Sequence, residues 1–131
     1  MPRRMSCSMT VPAVESRTKT VTRRHVDTWV DLKPGDRLTL IEKGMGLKKG
    51  ERQRVLAEVE VVDVRVEPLG AIDLHEGQSG VNREGLAMTP IGFISFWAST
   101  HGYQSMAPHE QMEIPCRRIE WRYLDEEVPG G

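Results

Sequence analysis

Residues 55–67 read VLAEVEVVDVRVE, the clearest strand pattern in the sequence. Val59 and Val61 share one face of an extended chain, whereas Val62, Val64 and Val66 alternate with charged residues in the opposite phase. A two-residue period that changes phase once within a strand indicates a β-bulge or a sharp coil. Because small barrels use this device to turn corners, the segment predicts a strongly curved sheet.

The segments before this strand have patterns of their own. A Pro-Gly turn within Lys33–Asp36 predicts a strand at Arg37–Ile41, and a glycine-rich hairpin tip at residues 44–50 follows it. Val11–Thr18 suits a short helix, since a proline is tolerated in the first turn. We therefore expect a helix, a turn and a strand ahead of the central strand.

The segments after the strand complete the pattern. They predict a short helix at Ala71–Glu76, a loop at Gln78–Asn82, an amphipathic helix at Thr89–His101, and one or two closing strands at Met112–Leu124. Together these patterns predict an α+β fold in which a curved sheet is flanked by short helices.

The 131-residue length is typical of a single domain, which we expect over residues 1–124, followed by a disordered tail at 125–131. No apolar run approaches the roughly 18 residues of a membrane span. The start of the chain, Met1–Ser8, lacks the apolar stretch of a secretory signal. We therefore expect a cytoplasmic protein without a membrane partner, and the oligomeric state stays open.

Cysteine and histidine usage bears on cofactors. Cys7 and Cys116 lie near opposite ends of the chain, and His101 and His109 are separated by a flexible segment. None of these residues has the spacing of a metal site or a redox pair. We expect reduced thiols, no metal and no cofactor.

The net charge of −1 conceals an uneven distribution. Residues 1–24 carry six cations against Glu15 alone, and Lys43–Arg54 carries five against Glu51. Two basic islands in an acidic background favour a local anion site over general adhesion to polyanions.

Most of the chemically versatile side chains gather in residues 16–24, which read SRTKTVTRR. Hydroxyls and fixed cations together suit a phosphate or a polar base edge. In a helical turn Lys19 and Thr22 would share a face, whereas in an extended segment they would point apart. Surrounding arginines should disfavour the charged ammonium, so we predict that Lys19 can act as a base near neutral pH. Trp29, in a polar loop nearby, is a candidate for stacking on a base.

This segment resembles the signature of ASCH domains, a family of PUA-like β-barrels. The family pattern Gly-x-Lys-x-x-Thr-x-Arg matches Lys19, Thr22 and Arg24, although the motif glycine is replaced. The resemblance extends from about Met5 to Tyr123 and includes three weaker features, namely Lys33–Asp36, Arg83–Leu86 and the aromatic segment Phe93–Gly102.

The resemblance implies an α+β fold, a small PUA-like β-barrel of about five or six strands with two to four short flanking helices. It also implies that the barrel binds RNA, nucleotides or modified nucleosides. One branch of the family, small bacterial amidohydrolases, removes the acyl group from N4-acetylcytidine. By motif position Lys19 would accept a proton, Thr22 would attack the amide and Glu84 would donate a proton. The expected contacts to substrate or nucleic acid are Arg17, Thr20, Arg23, Arg24 and Trp29.

The sequence leaves three functions open. The leading one is a metal-independent hydrolase of nucleosides or nucleotides that removes an N4-acyl group from a cytidine-type base. The second is a non-catalytic RNA- or nucleotide-binding module in which Lys19, Arg23 and Arg24 hold phosphates. The third is a ribonuclease, which is less favoured because no carboxylates with two-metal spacing are visible.

Overall fold

The computed structural model describes residues 2–43 and 49–125, so the hairpin tip and the tail lie largely outside the described residues. Within this part of the chain, five strands are flanked by five short helices. The strands are β1 (Arg3–Ser6), β2 (Val21–His25), β3 (Arg37–Ile41), β4 (Val55–Pro68) and β5 (Pro115–Tyr123). The helices are α1 (Val11–Glu15), α2 (Ile72–Glu76, π-helical), α3 (Gln78–Arg83), α4 (Pro90–Thr100) and α5 (Pro108–Gln111).

The strands form one curled, half-barrel sheet in the order β1-β3-β4-β5-β2, which confirms the α+β class. β1 and β3 run parallel, and the other neighbours are antiparallel. Strand β4, the longest, pairs with β3 along its first half and with β5 along its second. Its register against β5 shifts between Val61 and Asp63, which confirms the bulge expected from the change of phase. Val62 at the bulge and Val66 after it are exposed, whereas Val59 and Val61 before it are buried.

The curl brings the two edge strands of the sheet together. Arg24 of β2 donates from Nη2 to the backbone carbonyl of Ser6 in β1 over 2.8 Å. A first apolar cluster, which includes Met5 and Trp121, fills the concave face of the sheet. A second cluster, which includes Phe93 and Trp97, packs the helices against the ends of β4 and β5.

Some predicted elements differ in the structure. Helix α1 ends at Glu15 instead of Thr18, because Arg17 adopts a left-handed conformation with φ of 65°. Residues 78–82 belong to helix α3 instead of a loop, since Val81 is buried in the second apolar cluster. Strands β1 and β2 and helix α5 were not predicted. Strand β3 and helix α4, which Thr89 caps by accepting a hydrogen bond from the backbone N–H of Gly92, lie where the sequence indicates.

Within residues 2–43 and 49–125, no helix has both the length and the apolar character that crossing a membrane would require.

Candidate functional site

A cavity of about 240 Å³ lies between the two edges of the half-barrel. Its walls are the end of β1 and the segment after it (residues 6–10), the middle of β2 with Lys19 before it, Glu84 after α3, and one face of α4. The volume is slightly below the usual range of small-molecule sites. The cavity therefore suits a compact ligand.

Lys19 is held at the cavity by its backbone. Its carbonyl accepts hydrogen bonds from the indole of Trp121, over 3.1 Å, and from the hydroxyl of Tyr123. Gly85, with φ of 87°, packs tightly against Lys19, and a methyl group added there would lie 3.3 Å from the Lys19 Cβ. This close approach places Glu84 beside Lys19, although the two residues are 65 positions apart.

The Lys19 side chain is almost fully buried. Its Nζ donates to the Glu84 backbone carbonyl over 2.5 Å and lies 3.9 Å from Glu84 Oε1. Burial lowers the pKa of Lys19; Glu84 and Cys7 oppose this effect, and Arg24 and Arg23 reinforce it. The predicted lowering of the Lys19 pKa is confirmed, but its leading cause is burial and not the neighbouring arginines.

Thr22 and Lys19 line the same cavity even though Thr22 lies in a strand. The expectation that an extended chain would separate them does not apply, because Lys19 precedes the first residue of β2 and is not bound by its alternation. Thr22 Oγ1 accepts a hydrogen bond from Arg24 Nε over 3.0 Å. Because that bond uses a lone pair, the Thr22 hydroxyl proton is available to a base.

Arg23 joins the cavity to a buried network of charges. Its Nη1 donates to Glu84 Oε2 over 2.9 Å, and its Nη2 bonds Glu67 Oε2 over 3.3 Å and also Glu76 Oε2. Burial acts to lower the pKa of Arg23, but the carboxylates of Glu84, Glu76 and Glu67 outweigh it and raise that pKa. Arg118 extends the network by donating to Glu76 Oε1 over 3.0 Å. The charge of Arg23 is thus matched inside the protein.

Arg24 has a different environment. Its described hydrogen bonds go to Thr22 Oγ1 and to the Ser6 carbonyl, and no carboxylate within 4.0 Å pairs with it among the described residues. It lines the same cavity as Arg23. Arg24 therefore brings an uncompensated positive charge to the site.

Helix α4 forms the aromatic wall. Four residues of α4 and the residue that caps its C-terminus line the cavity at the spacing of one helical face. They are Phe93, Phe96, Trp97, Thr100 and His101. The Trp97 indole donates to the Arg23 carbonyl over 2.9 Å, and the His101 ring stacks on Trp97 at 3.7 Å between centroids. The cavity therefore has a polar wall facing an apolar, aromatic one.

Three of the candidate binding residues lie outside the cavity lining. Arg17 pairs with Asp125 over 2.5 Å and lies over the ring of Tyr123. Thr20 Oγ1 accepts from Arg83 Nε over 3.3 Å, and Trp29 lies under the Arg3 guanidinium at 4.4 Å. The five candidates that line the cavity are Lys19, Thr22, Arg23, Arg24 and Glu84.

Sequence reasoning missed Cys7, Glu67 and Glu76. Cys7 lines the cavity, and burial raises its thiol pKa against the opposing effects of Lys19 and Arg24. Glu76 lies 53 residues from Arg23, and no local motif marks it as a partner. Among residues 2–43 and 49–125, no group of three or more His, Cys, Asp or Glu side chains is placed to hold a metal ion.

Solved structures show the same fold. The chain is similar to the hypothetical protein PH0355, at 16% identity and a TM-score of 0.58, over 95% of this chain and 100% of that one. It is also similar to protein EF3133 from Enterococcus faecalis, a member of the family DUF984, at 15% identity and a TM-score of 0.57, over 95% of this chain and 80% of that one. No family model and no curated protein matches the sequence. At these identities the likeness shows the fold alone, a small half-barrel.

Proposed function

We propose that this protein is an ASCH-type hydrolase of nucleosides or nucleotides, which removes an N4-acyl group from a cytidine-type base. One observation carries the proposal: Lys19, Thr22 and Glu84 are all buried and line one cavity. Buried polar groups of three different types that converge on a cavity are typical of catalytic sites. The aromatic wall of α4 suits the flat ring of a base.

The geometry supports a division of labour among the three residues. The Thr22 oxygen attacks the amide carbon, and the neutral amine of Lys19 accepts the hydroxyl proton. Glu84, 3.9 Å from Lys19 Nζ, relays that proton to the leaving nitrogen as the carbon–nitrogen bond breaks. Water then hydrolyses the acyl ester on Thr22, which releases the carboxylic acid and restores the threonine.

The burial of two cations disfavours the RNA-binding alternative. Lys19 and Arg23 are both almost fully buried and bound to Glu84, so they are poorly placed to hold a phosphate backbone. Arg24 is the exception because it has no carboxylate partner among the described residues. One uncompensated cation suits a single anionic group, such as the phosphate of a nucleotide.

The proposal is tested by turnover. Purified protein is incubated with a panel of N4-acylated cytosine nucleosides and nucleotides in the presence of EDTA, and release of the acid is measured. We expect turnover by the wild type and none by Thr22→Ala. Thr39→Ala is the matched control, since Thr39 is a buried strand threonine outside the cavity lining.

Two results would contradict the proposal. Equal turnover by Thr22→Ala and the wild type would remove Thr22 from the mechanism. A lack of turnover across the panel, together with RNA affinity that falls steeply with salt in filter binding, would favour the non-catalytic module instead.

A further inference from the structure

Arg24 spans the seam between the two edges of the half-barrel. From β2 its Nη2 donates to the Ser6 carbonyl of β1 over 2.8 Å, and its Nε donates to Thr22 Oγ1 over 3.0 Å. The guanidinium also lies against the Cys7 thiol. Because Ser6, Thr22 and Cys7 all line the cavity, these contacts place the Arg24 guanidinium in the cavity wall, beside the proposed nucleophile.

Arg24 is open to a ligand. The residue is half-buried, and within residues 2–43 and 49–125 its third nitrogen, Nη1, donates to no oxygen atom. In this part of the chain the single buried side-chain nitrogen or oxygen without a partner is Arg23 Nε, so Nη1 of Arg24 is not sealed from solvent. A charged donor is therefore available to an acceptor in the cavity.

A second arginine adds to the positive charge at this position. Arg117 of β5 lies directly opposite Arg24 in the sheet, and it donates to the backbone carbonyls of Thr28 and Val26. Neither arginine has a carboxylate within 4.0 Å in the described ranges 2–43 and 49–125. Like charges directly opposite each other destabilise a sheet. Negative charge that develops beside Arg24 therefore relieves a repulsion.

The proposed reaction develops negative charge at this position. When Thr22 Oγ1 attacks the amide carbon, its proton passes to Lys19 and the carbon–oxygen π electrons move onto the carbonyl oxygen. The resulting oxyanion is bonded to the same carbon as Thr22 Oγ1, the atom that Arg24 Nε contacts. A donor placed where an oxyanion forms stabilises the transition state of acyl transfer.

We infer that Arg24 is a catalytic residue, the donor that stabilises the oxyanion formed on the acyl carbon during attack by Thr22. This role rests on the proposed function and completes its mechanism, in which Lys19 and Glu84 move the proton. As the oxyanion collapses, its electron pair re-forms the carbonyl bond, the carbon–nitrogen bond breaks and the nitrogen takes the proton from Glu84. When water displaces the acyl group, the Thr22 oxygen leaves with the bonding electrons and Arg24 Nε stabilises it.

A nucleotide phosphate also suits a single uncompensated cation, but the length of the substrate separates the two. Arg24 contacts Thr22, whereas the base and the ribose lie between the N4 amide and the 5′-phosphate of a nucleotide. A substrate with its amide at Thr22 therefore holds its phosphate away from Arg24. Nucleosides and nucleotides should depend on Arg24 to the same degree.

The test compares the steady-state kinetics of Arg24→Met and Arg24→Lys with those of the wild type. The substrates are N4-acetylcytidine and its 5′-monophosphate. We expect Arg24→Met to lower kcat about 100-fold on both substrates and to change KM by less than about twofold. Arg24→Lys keeps the charge and should recover part of the loss. Arg117→Met is the matched control, because Arg117 lies opposite Arg24 but outside the cavity lining, and it should retain most of its kcat.

A second measurement uses the wild type alone and so does not depend on the folding of a variant. N4-(methylphosphonyl)cytidine has an anionic, tetrahedral phosphorus in place of the acyl carbon and resembles the oxyanion. Calorimetry should show that it binds at least about 100-fold more tightly than cytidine. If it binds no more tightly than cytidine, no oxyanion donor faces the acyl group and the inference is overturned.

The kinetic outcomes separate this role of Arg24 from the proposed function. Equal kcat in Arg24→Met and the wild type would overturn the inference and leave the proposed function intact. A rise in KM confined to the nucleotide would do the same and would make Arg24 a phosphate contact. Absence of turnover by the wild type overturns the proposed function and, with it, the catalytic role of Arg24.

Discussion

Arg23 donates from Nη1 to Oε2 of Glu84 over 2.9 Å, and the two residues are 61 positions apart in the sequence. Their side chains are 0% and 5% exposed. The pair holds the Glu84 carboxylate between Arg23 and Lys19, and thereby joins strand β2 to the end of helix α3. The most informative perturbations of this protein act on that junction.

Replacing Glu84 by Gln removes the charge and keeps the shape. Because Arg23 then loses a buried ionic partner, we expect the free energy of unfolding to fall by roughly 3 kcal/mol. Urea denaturation measures this change in the free energy of unfolding. The matched control is Glu60→Gln, which breaks a surface pair with Arg122 across neighbouring strands and should cost less than about 1 kcal/mol. Equal losses in the two variants would show that the buried pair contributes no more than the surface one.

Lys19 should produce a pH-dependent stability. Burial lowers its pKa in the folded state, so between that pKa and the ordinary lysine value the unfolded chain binds more protons. The contribution of Lys19 to stability is therefore fully present above the ordinary lysine pKa, and it is lost as the pH falls through the lowered pKa of the folded state. Relative to Lys19→Met, the wild type should gain stability as pH rises through this window. Unfolding curves at several pH values measure the difference, and a constant difference would contradict the prediction.

The same titration should govern catalysis. Because the neutral amine is the base in the proposed mechanism, kcat/KM should rise with pH along a limb whose midpoint lies below the ordinary lysine pKa. A pH–rate profile of the wild type measures the midpoint. If the limb instead lies at the ordinary lysine value, the base is a solvated amine and not Lys19.

Gly85 is a site where one methyl group should disturb the cavity. A Cβ there would lie 2.8 Å from Ala13 Cβ and 3.3 Å from Lys19 Cβ, and φ is 87°. We expect Gly85→Ala to lose roughly 3 kcal/mol from overpacking and backbone strain together. Gly35→Ala is the control, because Gly35 has φ of 94° with nothing within 4 Å. It should lose only about 1 kcal/mol from strain. Thermal unfolding compares the two, and equal losses would show that the close approach is unimportant.

The two thiols should differ in accessibility. Burial raises the pKa of Cys116 to about 12, so it holds almost no thiolate at pH 8 in the folded protein. The pKa of Cys7 is raised as well, but this thiol lines the cavity. We expect slow alkylation of Cys7, slowed further by cytidine, and no reaction of Cys116 until the protein unfolds. Mass spectrometry after iodoacetamide treatment, with Cys7→Ser as the control, identifies the modified residue.

Local patterns were sufficient for much of the fold. The change of phase in β4 predicted the bulge at Val61–Asp63, and the Pro-Gly turn predicted β3 to the residue. Side-chain alternation and turn chemistry act within a few residues, so the sequence displays them directly. Helix α3 was missed because what stabilises it is the burial of Val81 against the second apolar cluster, a contact with distant segments.

The candidate site also has features that the sequence displays and features that only the folded chain decides. The residues of the Lys-x-x-Thr-x-Arg pattern are neighbours in the chain, so their order along it is enough to identify Lys19, Thr22 and Arg24 by resemblance to a known signature. The role of Arg23 was decided only by the folded chain. Its carboxylate partners, Glu67, Glu76 and Glu84, come from segments 44 to 61 residues away. The sequence alone shows Arg23 as a cation in a basic segment. The curl of the sheet and the close approach at Gly85 surround Arg23 with three carboxylates and leave its Nε without a partner. Only the tertiary structure decides this, because charge compensation depends on distances in space.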